Sequence, residues 1–209
     1  MALFDLYFRV VKALEKIEAP YVIVGAFAGS IFGITRATAD VDIMVDLRNE
    51  DSEALSELFP LPRYYADPEM IRNSIQMGIM FNIIDTDEGT KADLVPLKRD
   101  PEYHIAFERR VRQTYRDESD EIFEAWFAQP TDIIIGKLWA WDEGRSNKHP
   151  DDIYSILFFC LRGFSDYQVD VEEVAEAAAR IGQETLDMWL KTLARAREEI
   201  AKGSASKKW

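Results

Sequence analysis

Hydrophobic positions along the chain follow two different periods. Near the N-terminus Leu6, Val10, Leu14 and Ile17 recur at helical spacing, which predicts a first helix over residues 4–18. Pro20 ends that helix, and the apolar run 21–24 predicts a short buried strand. The chain therefore begins with a helix that leads directly into a sheet.

Both periods continue up to about residue 129. Helical spacing predicts helices over 26–32, 49–58 and 68–76. Alternation and β-branched residues predict strands over 40–46, 79–85, 92–96, 112–115 and 122–127. The turn-forming residues 87–90 between two of these strands predict a hairpin.

From Pro130 onward the strand period disappears. Helices are predicted over 131–141, 149–161, 171–180 and 184–202, and either Gln129 or Thr131 would cap the first of them. The pattern indicates an α+β protein, with a mixed sheet flanked by helices and then a C-terminal helical bundle. We predict two domains, 1–129 and 130–209.

Composition narrows the class of protein. Hydrophobic residues make up 47% of the 209 residues, which is typical of a folded globular chain. The only cysteine, Cys160, excludes an intrachain disulfide and favours a reducing compartment, so we expect a cytoplasmic protein with no membrane association. The net charge of −13 argues against nucleic-acid binding through a broadly basic surface, but not through a local basic groove.

Asp40 and Asp42 are the most informative pair in the chain. Side chains alternate along a strand, so these two carboxylates point to the same side, where they repel each other. A cation between them would offset that repulsion, whereas the plainer interpretation is a solvated strand face. Upstream, the turn at Gly25 follows a buried strand and could hold a phosphate chain.

Divalent metal needs further oxygen ligands besides this pair. Asp93 is a lone acid in an apolar strand, and a neighbouring strand could bring it beside Asp40 and Asp42. The alternative is an edge-strand charge. A phosphate turn followed by metal-binding carboxylates outlines a site for phosphoryl or nucleotidyl transfer.

These residues resemble a known family signature. Gly25-Ala26, a spacer and Asp40-Val41-Asp42-Ile43 resemble the signature of the nucleotidyltransferase superfamily related to DNA polymerase β. The stretch that includes Arg36, Thr38 and Asp40 is most similar to the minimal nucleotidyltransferases of bacterial toxin–antitoxin and phage-defence systems. Two later segments, 132–138 and 148–153, also match that pattern, so the resemblance covers about residues 20–161.

The resemblance implies transfer of a nucleoside monophosphate from an NTP to an acceptor hydroxyl, with release of pyrophosphate. It implies two Mg²⁺ ions, with Mn²⁺ as an alternative, an acceptor that is a tRNA 3′ end or a protein, and a cognate antitoxin. Catalysis and metal binding would fall to Asp40, Asp42 and Asp93. Nucleotide binding would fall to Gly25, Ala26, Ser30, Arg36, Lys137 and Asp152.

Other interpretations remain open at this stage. Ala26 stands where the signature has Gly or Ser, which leaves room for a catalytically degenerate binding module. Antibiotic nucleotidyltransferases of the aminoglycoside type resemble the same pattern, and the acidic charge suits their cationic acceptors. Structural alternatives exist for Arg36 (a surface ion pair), Lys137 (a helix-surface lysine) and Asp152 (a helix N-terminal charge).

A basic concentration and two histidines complete the candidates. The basic residues are Lys98, Arg99, Arg109, Arg110, Arg112 and Arg116, which could form an acceptor-binding rim beside Asp93. The alternative is a solvated edge. For His104 and His149 we expect surface or capping roles.

Overall fold

The computed structural model describes residues 2–36, 38, 41–97, 101–116 and 122–205. Asp40, Lys98 and Arg99 lie outside the described residues. Two compact units are present: unit 1 comprises Met1–Phe27 and Ala37–Ala128, and unit 2 comprises Ala28–Arg36 and Gln129–Trp209. The sequence had placed one boundary, after residue 129, and had not separated the segment Ala28–Arg36.

Unit 1 holds a seven-stranded mixed sheet in the order β3-β4-β5-β2-β1-β7-β6. The strands are β1 (Tyr21–Val24), β2 (Val41–Val45), β3 (Tyr64–Tyr65), β4 (Phe81–Asp85), β5 (Thr90–Pro96), β6 (Val111–Arg116) and β7 (Ile122–Phe127). β2 is antiparallel to β1 and parallel to β5, while β1 is parallel to β7. β4 and β5 form the hairpin that the sequence predicted.

Unit 1 also contains four helices and part of a fifth among its described residues. They are α1 (Ala2–Lys16), α3 (Asp51–Glu57), α4 (Pro68–Met77) and α5 (Pro101–Glu108), while α2 (Gly25–Ser30) contains the unit boundary. Asp67 caps α4 by accepting a hydrogen bond from the Met70 amide at 2.8 Å. The fully buried apolar residues of β1 and β2 form the centre of the unit 1 core.

Unit 2 contains the long helices. They are α6 (Pro130–Gly144), α7 (Lys148–Leu161), α8 (Val171–Ile181) and α9 (Gln183–Ala205). Trp189 is the largest fully buried side chain, and Leu138, Ile156 and Val174 are buried from three other helices. Residues of all four helices are therefore buried in the interior of this unit, as the helical spacing predicted.

The α+β class with a mixed sheet and a helical C-terminal part agrees with the sequence prediction. Two elements were not predicted. β3 has two residues, too short to show a period, and exists through its pairing with β4. α5 has no amphipathic stripe in its sequence.

The cap of α6 also differs in detail from the expectation. Gln129 occupies the N-cap position without a side-chain capping hydrogen bond, while the Thr131 hydroxyl accepts from the Asp170 amide at 2.9 Å. Within the described residues no helix combines the length and apolarity that a membrane crossing requires.

Candidate functional site

Asp42 and Asp93 are direct partners across two parallel strands. Asp42 lies on β2 and Asp93 on β5, and their Cα atoms pair in the register of the two strands. Partners at the same register point to the same face of a sheet, so the two carboxyl groups lie side by side. The structure thus supplies the adjacency that the sequence alone left open. Asp40, the first acid of the motif, lies outside the described residues.

Gly25 leaves the space that the Asp42 carboxylate occupies. Gly25 has φ +69°, in the left-handed region, where a side chain is strained. A Cβ placed on Gly25 would collide with Asp42 Oδ2 and lie 3.1 Å from Asp42 Cγ. The turn between β1 and α2 therefore approaches the carboxylate through its bare backbone, and only glycine permits that approach.

Asp93 is buried and already engages a cation. Its side chain is 10% exposed, and Lys91 Nζ donates to both carboxylate oxygens at 2.9 Å. Asn82 Nδ2, on the paired strand β4, donates to Asp93 Oδ1. Burial of a carboxylate is costly unless it is paired, and these contacts provide the pairing.

The Lys91 ammonium is the cation paired with Asp93 in this structure. It is a cation within hydrogen-bonding distance of the buried carboxylate beside Asp42, which is where a bound metal ion would be expected. The Lys91 side chain is 45% exposed, so it can swing away to solvent. Carboxylate oxygens are the ligands that Mg²⁺ prefers, and two on neighbouring strands fit such an ion.

The described residues contain no cluster of three or more His, Cys, Asp or Glu side chains arranged to hold a metal. The observed pair is Asp42 and Asp93, and the third acid of the expected set, Asp40, falls in a gap of the described range. Mg²⁺ commonly keeps several waters and takes one or two carboxylates from the protein. Two carboxylates on neighbouring strands match that number.

Three of the predicted nucleotide-binding residues meet in unit 2. Asp152 on α7 accepts from Arg36 Nε at 2.8 Å and from Arg36 Nη2 at 2.7 Å, which is a bidentate pair. Lys137 Nζ on α6 donates to Asp152 Oδ2 at 2.7 Å. This triad joins residues 116 positions apart in the chain. It carries two positive charges and one negative charge.

Lys137 and Asp152 of this triad are buried, whereas the Arg36 side chain is 38% exposed. Lys137 is 5% exposed and Asp152 is 2% exposed. Burial by itself would raise the pKa of Asp152, but hydrogen bonds from Arg36 and Lys137 outweigh it and hold that pKa below the usual range. The helix-surface alternative considered for Lys137 therefore does not describe its environment. For Asp152, whose alternative was a helix N-terminal charge, the structure adds ion pairs with Arg36 and Lys137.

His149 lies beside the triad in the first turn of α7. It is half-buried, and its Nδ1 is buried without a hydrogen-bond partner among the described residues. Burial, reinforced by the positive charges of Lys137 and Lys148, lowers its pKa to about 4. The imidazole is therefore neutral at pH 7, and the surface role expected from the sequence does not describe it.

The other predicted residues occupy less constrained positions. Ala26 is half-buried in the first turn of α2, and Ser30 is exposed at the end of the same helix. Arg110 and Arg112 belong to the edge around β6, and Arg112 pairs with Glu15 and Glu124. That edge is four strands from β5 in the sheet order, so these arginines do not form a rim beside Asp93.

Sequence reasoning missed the groups that surround the acids. Lys91 could have been found, because it lies two positions before Asp93 and therefore on the same face of β5. Asn82 depended on the register of the hairpin, which the sequence did not specify. His149 had no signal, since its environment comes from a second helix.

Comparison with known proteins yields structural likenesses only. No protein-family model and no curated protein matches the chain. ANT(2")-Ia in complex with adenylyl-2"-tobramycin is 16% identical with a TM-score of 0.46, over 85% of this chain and 95% of that one. A nucleotidyltransferase-like antigen from Paracoccidioides brasiliensis is 14% identical with a TM-score of 0.45, over 94% and 89%.

A CCA-adding enzyme with CTP is 10% identical with a TM-score of 0.34, over 92% of this chain and 51% of that one. Because these identities are low and the TM-scores are below 0.5, the chemistry of the candidate site has to be argued from the residues of this chain.

Proposed function

We propose that the chain is a metal-dependent nucleotidyltransferase that moves a nucleoside monophosphate from an NTP to an acceptor hydroxyl. The observation that carries this proposal is the pairing of Asp42 with Asp93, with Gly25 held open against Asp42. A solvated strand face does not explain a buried carboxylate beside a second one. Nor does it explain a glycine turn packed onto a carboxylate.

The reaction follows from the roles these groups would take. The acceptor oxygen bonds to the α-phosphorus, the bond from that phosphorus to the bridging oxygen breaks, and pyrophosphate leaves. Asp42 and Asp93 would hold Mg²⁺, together with Asp40. The ion would neutralise phosphate charge and make the acceptor hydroxyl more acidic. Asp93 would accept the hydroxyl proton on its carboxylate.

Nucleotide binding in this proposal falls to the residues that the family resemblance assigned to it. The backbone at Gly25 and Ala26 would contact the triphosphate, and Ser30 would contribute a hydroxyl. The family resemblance assigns phosphate binding to Arg36 and Lys137, and their triad with the buried Asp152 supports this, because it keeps a net positive charge. Asp152 would hold Lys137 in one rotamer, so that its ammonium needs little reorganisation to bind phosphate.

A transfer assay tests the catalytic proposal. The full chain is incubated with each α-phosphate-labelled NTP in turn, Mg²⁺ or Mn²⁺, and an acceptor: total tRNA, cell-lysate protein or an aminoglycoside. We expect label on tRNA or protein, and a loss of at least about a hundredfold in Asp42→Asn and Asp93→Asn. Asp46→Asn is the matched control, because it removes the same charge from an exposed position just after β2.

Two results would reject the enzyme. One is no transfer from any NTP to any acceptor, and the other is an Asp42→Asn variant as active as Asp46→Asn. Calorimetry with NTP and Mg²⁺ then identifies a degenerate module, which would show no metal-dependent binding. Label on the aminoglycoside alone would instead assign the antibiotic-modifying activity.

The biological setting is a separate part of the proposal. A toxin with a cognate antitoxin would arrest growth on expression in an Asp42-dependent manner, and co-expression of a neighbouring gene product would relieve the arrest. Normal growth together with raised aminoglycoside tolerance would contradict the toxin assignment and leave the transfer chemistry intact.

A further inference from the structure

A basic groove lies in unit 1 away from the carboxylates. Its volume is about 460 Å³, and its described lining residues are Phe8, Arg9, Lys12, Ala13, Lys16, Leu58, Arg63 and Tyr64. Four of these are cations, and none of the described lining residues is acidic. The groove is therefore locally positive, although the chain as a whole has a net charge of −13.

The cations form a row because of helix geometry. Arg9, Lys12 and Lys16 are spaced three and four residues apart on α1, so they share one face and span about 10 Å along the axis. All three are exposed. Glu15 lies within the row, but it accepts hydrogen bonds from the Tyr21 hydroxyl at 2.8 Å and from Arg112 at 3.1 Å.

Arg63 and Tyr64, on the side of the groove opposite α1, are held by hydrogen bonds and ring contacts. Arg63 donates to Asp85 at 2.8 Å, and Asp85 also accepts from the backbone amides of Asp87 and Glu88. The guanidinium carbons of Arg9 and Arg63 lie 5.2 Å and 5.1 Å from the centroid of the Tyr64 ring. Two cations are thus fixed against one buried aromatic ring, which limits their loss of entropy on binding an anion.

An apolar wall accompanies the charges. Phe8 is half-buried and is held edge-on by Phe123 at a centroid distance of 4.2 Å. Ala13 and Leu58 extend that wall. A nucleic-acid strand combines phosphates, which bind cations, with flat bases, which pack on aromatic rings. An acidic peptide supplies carboxylates but has no flat face to match Phe8.

We propose that this groove binds the phosphate backbone of a single-stranded nucleic acid, at a site separate from Asp42 and Asp93. Tyr64 belongs to β3, which is three strands from β2 in the sheet order, or roughly 14 Å at the usual strand spacing. Neither carboxylate is among the described lining residues. The groove therefore holds a strand without occupying the carboxylate pair, and its binding does not depend on the transfer chemistry.

Fluorescence anisotropy with a labelled single-stranded RNA and the same DNA sequence tests this proposal. The full-length protein is titrated at several salt concentrations. We expect both strands to bind, with at least about tenfold weaker binding by the triple variant Arg9→Gln, Lys12→Gln, Lys16→Gln. The slope of log affinity against log salt should also be about 2 units shallower in that variant, since three phosphate contacts are lost.

The matched control is the triple variant Arg180→Gln, Lys191→Gln, Arg197→Gln. It makes the same change in net charge at exposed positions of α8 and α9. We expect it to bind RNA and DNA like the wild type, apart from a small loss of affinity that is the same for both strands. Should the groove variant fail to fold, Lys12→Gln, Lys16→Gln leaves the Arg9 contact with Tyr64 intact and is expected to lose about 1.4 units of slope.

Several results would overturn the site. They are an absence of RNA and DNA binding by the wild type, equal losses in the groove and control variants, and tighter binding of a poly-glutamate peptide than of RNA. Full displacement of RNA by equimolar inorganic triphosphate would show a small-anion site instead of a strand-binding groove. Asp42→Asn should bind RNA normally, so a failed transfer assay and a failed groove are separate outcomes.

Discussion

The backbone of Gly25 lies directly against the carboxylate of Asp42. This contact joins the turn after β1 to the strand beside it, and it requires both a left-handed conformation and the absence of a Cβ. The glycine is therefore a packing requirement of the carboxylate pair as well as a turn residue.

Gly25→Ala should be more destabilising than the same change at another left-handed glycine. Gly89 has φ +65° and open space where its Cβ would lie, so Gly89→Ala reports backbone strain alone, about 1 kcal/mol. Gly25→Ala adds the collision with Asp42, for a total of about 2–4 kcal/mol. Urea unfolding of both variants measures the difference, and equal losses would mean that Asp42 moves aside without cost.

The triad of Arg36, Lys137 and Asp152 predicts a large loss of stability when the Asp152 carboxylate is replaced by an amide. Asp152→Asn leaves the buried Lys137 ammonium without its carboxylate, which should lower the free energy of unfolding by about 3 kcal/mol. Asp151→Asn is the control. That side chain is 73% exposed and lies 3.8 Å from Arg195, so we expect a change below about 0.5 kcal/mol.

Urea unfolding at neutral pH compares the two variants. A loss in Asp152→Asn no larger than that in Asp151→Asn would contradict the buried charge pair. The double variant Lys137→Met, Asp152→Asn should recover part of the stability lost in Asp152→Asn, because it removes the ammonium that lost this carboxylate.

The local parts of this molecule could be predicted from its sequence. Alternation around Asp42 and the turn at Gly25 are short-range signals, and both agree with the structure. The hairpin of β4 and β5 was found in the same way, through the turn residues 87–90. Each of these features depends on neighbours within about ten residues.

The remaining features depend on contacts between distant segments. The register of β2 against β5 places Asp93 opposite Asp42, and no local pattern specifies a parallel pairing of residues 51 positions apart. The bidentate pair between Arg36 and Asp152 spans a still longer separation. The cationic row on α1 was hidden because Glu15 lies among its residues and Glu18 follows them, while Arg63 comes from the turn before β3.

Removal of the Lys91 ammonium should strengthen metal binding. Under the proposed function Mg²⁺ would displace this ammonium from Asp93, so Lys91→Met should lower the apparent Kd for Mg²⁺ several-fold. It should also lower stability without Mg²⁺, since the buried Asp93 carboxylate loses its ion-pair partner. The readout is the rise in unfolding temperature across a Mg²⁺ titration.

Lys191→Met is the control, because it removes an exposed lysine on α9 and should leave the titration unchanged. Asp42→Asn and Asp93→Asn should each abolish most of the Mg²⁺-dependent rise. A Lys91→Met curve that matches that of Lys191→Met would show that the ammonium does not compete with the metal.

His149 should make stability depend on pH above the range in which carboxylates titrate. Its pKa is about 4 in the folded chain because of burial and the neighbouring Lys137 and Lys148, against about 6.5 when unfolded. Between these values the unfolded chain binds more protons, so stability is complete above pH 6.5 and falls as the pH drops towards 4. Because the side chain is only half-buried, we expect a loss of about 1–3 kcal/mol across this window.

Urea unfolding at pH 7.5, 6.5, 5.5 and 4.5 measures the loss, with His149→Gln as the test variant. His104 is the only other histidine and is exposed, so His104→Gln is the matched control. We expect His104→Gln to keep the wild-type decline and His149→Gln to flatten most of it above about pH 5, where carboxylates contribute little. An unchanged decline in His149→Gln would show that folding does not lower the pKa of His149.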